Sequence, residues 1–165
     1  CGNAVSTEHE RRFIVSDRTV LEGAHFVQIE QGYLWDKDGY AIRVRLSLSP
    51  DSGTTTAKFA LKGPRIDAKR FEMESLLPID VAKDLLKLSD NRISKRRYTV
   101  FDAENRWTVD EFFGANQGLL LAEFESDENA VKSLVTPDWI GEEVTELRQY
   151  DNEQLARKPI NPKTE

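Results

Sequence analysis

Glu8, Glu10 and Arg12 stand two positions apart at the start of the first extended stretch of the chain. Residues two apart in a strand point to one face, so this segment would present two carboxylates and a guanidinium side by side. Carboxylate oxygens suit hard divalent cations such as Mg²⁺ and Mn²⁺, and a guanidinium fork grips phosphate oxygens in pairs. Taken alone, the pattern is one that many surface strands would show.

It recurs with the signs sorted by strand. Arg43 and Arg45 share a face opposite Ile42, Val44 and Leu46, and Lys58 and Lys62 oppose Phe59 and Leu61. Glu72 and Glu74 oppose Phe71 and Met73, Lys95 accompanies Arg97, and Glu123 and Glu125 oppose Ala122 and Phe124, while Asp110 lies opposite Val109. A sheet with one wet face is the commoner cause of alternation. Like charges on neighbouring positions gain nothing in water, however, and same-sign doublets on strand after strand call for a ligand. A wall of Arg and Lys would take a polyanion, and carboxylates on another wall would need a divalent cation between themselves and that anion.

The elements that must hold these side chains are mostly strands. Alternation places them near 8–15, 26–34, 40–48, 55–62, 69–77, 91–101, 105–113 and 118–127, about eight in all. Ile79 to Leu88 has the spacing of a short amphipathic helix, a second helix is expected from Asp127, and a last helical turn near Asn152 to Arg157. Short links between strands favour antiparallel pairing. If the strands close on themselves, the interior is wide enough for side chains or one small ligand.

Composition narrows the function classes. In 165 residues, 39% are hydrophobic and 32% charged, more charge than a plain surface needs, so some of it is expected inside. A net charge of −6 argues against general nucleic-acid binding. The single cysteine, Cys1, makes no internal disulfide, and a reducing cytoplasm is the expected location. No apolar run is long enough to span a membrane. Neither the phosphate-cradling glycine loops nor the His-Glu-x-x-His zinc signature is present. His9 and His25 read as surface residues, and Trp35, Trp107 and Trp139 as packing or strand cover.

At this point the residues resemble the CYTH, or triphosphate tunnel metalloenzyme, family, over nearly the whole chain. Its opening E-x-E-x-K segment is matched by Glu8-His9-Glu10-Arg11-Arg12, with arginine in place of the lysine. Gln31-Gly32-Tyr33, Arg43-Val44-Arg45, Lys62, Arg70-Phe71-Glu72-Met73-Glu74, Lys95-Arg96-Arg97, Val109-Asp110-Glu111 and Ala122-Glu123-Phe124-Glu125 follow in the family's order, and Trp139-Ile140-Gly141-Glu142-Glu143-Val144-Thr145 resembles the closing segment of short bacterial members.

The resemblance implies a mainly β (α+β) fold, a closed eight-stranded antiparallel tunnel with a few flanking helices. A single domain over 8–157 is expected, with 1–7 an appended or flexible N-terminus and 158–165 a tail. By carry-over, Glu8, Glu10, Glu123, Glu125 and also Asp110 are the metal ligands for Mg²⁺ or Mn²⁺. Arg12, Arg43, Arg45, Lys62, Lys95 and Arg97 contact phosphates, with Glu72 and Glu74 in support. Some members are thought to activate water with the lysine that Arg12 replaces, together with a tyrosine, for which Tyr33 is the candidate. Arginine stays protonated and is a poor base.

The expected activity is metal-dependent hydrolysis of a triphosphate, inorganic tripolyphosphate foremost. Class IV adenylyl cyclase chemistry, thiamine or nucleoside triphosphate hydrolysis, and a non-catalytic polyphosphate- or nucleotide-binding module are the alternatives. The partner is then a small triphosphate or polyphosphate, with neither nucleic acid nor membrane, and a homodimer is compatible with the sequence.

Overall fold

The computed structural model describes residues 4–160. Cys1, assigned to an appended end, lies outside the described residues. Among the described residues nine strands form, β1 (Ala4–Val15), β2 (His25–Lys37), β3 (Tyr40–Leu48), β4 (Thr55–Ile66), β5 (Lys69–Leu76), β6 (Asn91–Asp102), β7 (Asn105–Phe112), β8 (Leu120–Ser126) and β9 (Ile140–Glu143). Helices α1 (Ile79–Leu88), α2 (Glu128–Lys132) and α3 (Asn152–Arg157) accompany them, together with three 3₁₀ turns. The eight expected strands are all present, and α1 and α3 have the expected limits. β1 begins earlier than expected because Ala4 to His9 pair with β5. Alternation does not predict β9, which is too short for a period to register and hangs on the end of β1.

Around the barrel the order is β1, β5, β4, β3, β2, β6, β7, β8 and back to β1, and every pairing is antiparallel. Closure leaves no open edge among these eight strands, and β9 alone pairs on one side. The hairpin between β2 and β3 turns on Asp38 and Gly39, with φ of 53° and 84°, the left-handed pair that a two-residue hairpin needs. A Cβ at Gly39 would also lie 2.7 Å from that of Pro64.

Apolar packing lies largely outside the barrel wall. Phe13, Tyr98, Val100, Trp107, Val109, Ala122 and Phe124 project outward from β1, β6, β7 and β8 and pack with Leu21, Val131 and Trp139 from the flanking segments. Trp107, fully buried, meets Phe13 and Trp139 edge-on, as its packing role requires, whereas Trp35 stays exposed. Helix α1 covers Val44 and Phe59 on β3 and β4 through Ala82, Leu85 and Leu86. A third cluster, with Tyr33, Ala41, Ile93 and Leu121, meets Val144 and Leu155 and closes one end of the barrel. The apolar faces of most strands are thus covered from outside, although Phe71 on β5 stays exposed, and the charged faces are left to line the interior. No helix among the described residues is long and apolar enough to cross a membrane.

Candidate active site

Strand order turns the charge doublets into two walls. β8, β1 and β5 are contiguous and carry Glu123, Glu125, Glu10, Glu72 and Glu74; β4, β3, β2 and β6 are contiguous and bring Lys58, Lys62, Arg43, Arg45, Lys95 and Arg97. All of these line one cavity of about 240 Å³. The cross-strand register sets Glu10 opposite Glu125 and Arg12 opposite Glu123. Glu8 belongs to β1, opposite Arg70, but its side chain lies outside the described residues.

On the basic wall most cations already have an anionic partner. Arg43, almost fully buried, approaches Glu74 at 3.5 Å, Lys58 meets the same carboxylate at 2.8 Å, and Lys62 is 3.8 Å from Glu72. These contacts set Glu72 and Glu74 beside the basic side chains and occupy them there. Arg45 differs. Its Nε donates to Gln31 Oε1 at 2.9 Å, and among the described residues it has no carboxylate partner. Burial, with the charges of Arg43 and Arg97, holds it below the usual arginine range. A guanidinium so placed is short of an anion.

Asp110 does not line the cavity. Its carboxylate accepts from Lys95 Nζ at 2.8 Å, Arg97 Nε at 2.8 Å and Arg97 Nη2 at 2.9 Å. Although burial would raise its carboxyl, Arg97 and Lys95 hold it well below the usual range. Asp110, expected as a metal ligand, here anchors two cations of the basic wall, and both of its oxygens are engaged. Lys95 also donates to Asn152 Oδ1 at 2.8 Å. Burial pushes its ammonium down to about 7, with Asp110 opposing the shift and Arg97 and Arg45 assisting it.

Arg12 and Tyr33, the expected catalytic pair, are also held by protein partners. Arg12 borders the cavity, but Nη1 donates to Asp151 at 2.9 Å and Nη2 to the carbonyl oxygen of Leu147 at 3.0 Å. Its terminal nitrogens fasten the closing segment, and its Nε is buried without a partner. The hydroxyl of Tyr33 accepts from Gln31 Nε2 at 2.9 Å. Burial, reinforced by Glu153, pushes its phenol above the usual range. A phenol held protonated is no base near neutrality, so neither member of the expected pair suits that task.

The segment from Val144 to α3 seals one end of the barrel. Besides Asp151, it offers Glu153, which accepts from Arg70 at 2.5 Å, and Asn152, which accepts from Gln31 at 3.0 Å. Gln31, Arg65, Arg70, Asn152 and Glu153 all line the cavity, and sequence spacing assigns a role to none of them. Arg65 escapes the strand alternation because β4 carries a bulge between Lys62 and Arg65. The extra residue brings both onto the interior face. The signal is Gly63-Pro64, since proline within a strand marks a bulge or an edge.

Glu10, Glu123 and Glu125 remain as the described metal candidates. Burial raises the carboxyl of Glu125, and Glu10 and Glu123 add to the rise. This is a self-repelling carboxylate group that a divalent cation would relieve, and its hard oxygens fit Mg²⁺ or Mn²⁺. No three acidic, imidazole or thiol groups among the described residues converge on one metal position as they stand. Glu10 is instead ion-paired with Arg65. The donor chemistry fits such an ion, and the present partner of Glu10 stands in its way.

No family model matches the chain. Among curated proteins, an inorganic triphosphatase of Acetivibrio thermocellus is 37% identical over 155 residues, covering 92% of this chain and 94% of the relative. An inorganic triphosphatase of Nitrosomonas europaea is 32% identical over 161 residues, covering 91% and 97%. A solved inorganic triphosphatase structure superposes with a TM-score of 0.63 at 30% identity, over 89% of this chain and 95% of that one.

Proposed function

Since the chain belongs to the inorganic triphosphatases of the CYTH, or triphosphate tunnel, family, we propose that it hydrolyses inorganic tripolyphosphate inside the charged barrel. The observation that carries this reading is Arg45, a cation of the basic wall with no carboxylate partner among the described residues, set where Arg43 and Arg97 add to its demand for an anion. The lining also favours an inorganic substrate. Among the described residues Tyr33 is the only aromatic one in it, and that ring is buried, whereas a nucleobase is usually held by a stacking face.

Arg43, Arg45, Lys62 and Arg97 would hold the phosphate oxygens. Two of the basic wall's donors are fixed before the anion arrives, Arg45 by Gln31 and Arg97 by Asp110. Fixed donors meet charge that develops on the transferring phosphoryl group without reorganising. Water attacks the terminal phosphorus, the bond to the bridging oxygen breaks, and orthophosphate and pyrophosphate leave. Glu10, Glu123 and Glu125 would hold Mg²⁺ or Mn²⁺, which when bound neutralises phosphate charge and acidifies water. For moving a proton, Lys95 is better suited than Arg12 or Tyr33, because burial has brought its ammonium down to about 7.

A panel of tripolyphosphate, ATP, GTP and thiamine triphosphate, each with Mg²⁺ and with Mn²⁺, tests the proposal by product identity. Orthophosphate and pyrophosphate from tripolyphosphate, at rates well above those with the other three, are expected. Cyclic AMP with pyrophosphate from ATP would make the protein a cyclase. Binding of tripolyphosphate without turnover under every metal and pH would make it a non-catalytic module.

A further inference from the structure

Arg65 holds an unusual place for a cation on the basic wall. Its side chain is 6% exposed and pairs with Glu10, and its Nη2 lies 3.7 Å from Asp151 Oδ1. Asp151 already has Arg12 as a partner at 2.9 Å, so Glu10 is the carboxylate that depends most on Arg65, with Lys62 and Arg12 adding weaker support. Glu10 is itself 6% exposed, and a buried carboxylate left without a counter-charge is strongly destabilising. The bulge at Gly63-Pro64 is what brings the guanidinium inward. On its other side, away from β5 and β4, Glu10 faces its cross-strand neighbour Glu125 on β8, whose charge Arg65 does not pair.

We propose that Arg65 is a built-in counter-ion, which neutralises Glu10 while the tunnel holds no metal and must leave Glu10 before a divalent cation can bind there. The proposal rests on the reading of Glu10, Glu123 and Glu125 as the metal-holding group. Asp110 does hold two single charges, Lys95 and Arg97, but a divalent ion carries twice the charge, and its repulsion of a guanidinium on the same buried carboxylate is correspondingly larger. Metal uptake therefore exchanges one charge for another, and Glu10 stays compensated throughout. The released guanidinium remains on the basic wall, where phosphate oxygens are its natural partners. Metal and triphosphate then bind cooperatively, the metal by displacing Arg65 and the anion by accepting it.

The test is Mn²⁺ binding to the full chain without substrate, followed by the electron paramagnetic resonance of free Mn²⁺. Arg65→Gln removes the competitor, and Mn²⁺ is expected to bind about tenfold or more tightly than to the wild type, within the usual range of coupling between linked sites. Metal-free Arg65→Gln is expected to melt below the wild type, and saturating Mn²⁺ to close most of that gap. Should Arg65→Gln fail to fold, Arg65→Lys keeps the charge but loses the fork, and a severalfold gain in Mn²⁺ affinity is expected of it. Unchanged or weaker Mn²⁺ binding by the folded Arg65 variants, with Glu123→Gln still lowering the affinity, would overturn the counter-ion role and leave the metal site standing. Absence of Mn²⁺ binding from wild type and folded variants alike would overturn the metal reading, and the counter-ion role with it.

Discussion

Arg12 Nη1 donates to Asp151 Oδ1 at 2.9 Å, across 139 positions of sequence. The contact fastens the first strand to the segment that seals the barrel, and both side chains are almost fully buried. Asp151→Asn would leave the guanidinium of Arg12 buried without its counter-charge. A loss of about 3 kcal/mol or more in unfolding free energy is expected, measured by urea denaturation of the metal-free protein. A change within experimental scatter would mean that the closing segment is held by its apolar contacts alone.

Asp110 provides a second prediction. As an anchor for Lys95 and Arg97 it is expected to contribute to stability and not to metal affinity. Asp110→Asn is expected to lower the unfolding free energy by about 3 kcal/mol. Mn²⁺ affinity of the folded variant should stay within about twofold of the wild type, a difference of less than ~0.5 kcal/mol. A large loss of Mn²⁺ affinity would restore Asp110 to the metal ligands.

Lys95 gives the tunnel a pH dependence. Burial has brought its ammonium down to about 7 against Asp110 on β7, with Arg97 on β6 and Arg45 on β3 assisting, and Asn152 of α3 accepts a further hydrogen bond from it. Below that value the ammonium adds a charge to the basic wall, and above it the charge is lost. Without metal, the advantage of wild type over Lys95→Met in tripolyphosphate affinity should therefore shrink as pH rises from 6 to 8.5, by up to about tenfold per unit. Comparison with the variant removes the ionisation of the ligand itself. Stability runs the other way. The unfolded chain binds the extra proton between about 7 and the ordinary lysine value of 10.5, so wild type should gain stability relative to Lys95→Met as pH rises through that window. Flat differences in both measurements would remove Lys95 as a titrating group.

Much of this site is legible in the order of the residues, because strand alternation sorts side chains by face. Arg43 with Arg45, Glu72 with Glu74 and Glu123 with Glu125 all point inward, as their spacing implies. What alternation does not carry is partnership. Arg12 has the right face but is engaged by Asp151 and Leu147, far along the chain. Asp110 sits directly opposite Arg97 in the β6–β7 ladder, a pairing that depends on register and not on the spacing within one strand. Arg65 is hidden by a single extra residue, since a bulge reverses the alternation beyond it. β9 is only four residues long, too short for a period of two to stand out from chance.

The division of the tunnel into two walls is tested most directly by tripolyphosphate binding with metal chelated, measured by calorimetry on wild type, Arg45→Ala and Glu123→Gln. Arg45→Ala removes a charged contact to the anion and should weaken binding by about 10- to 100-fold, from ~1.5–3 kcal/mol per charged hydrogen-bonding group. Glu123→Gln removes a repelling carboxylate and should leave binding unchanged or tighter. Similar losses in both variants would contradict the separation of a phosphate-holding wall from a metal-holding one.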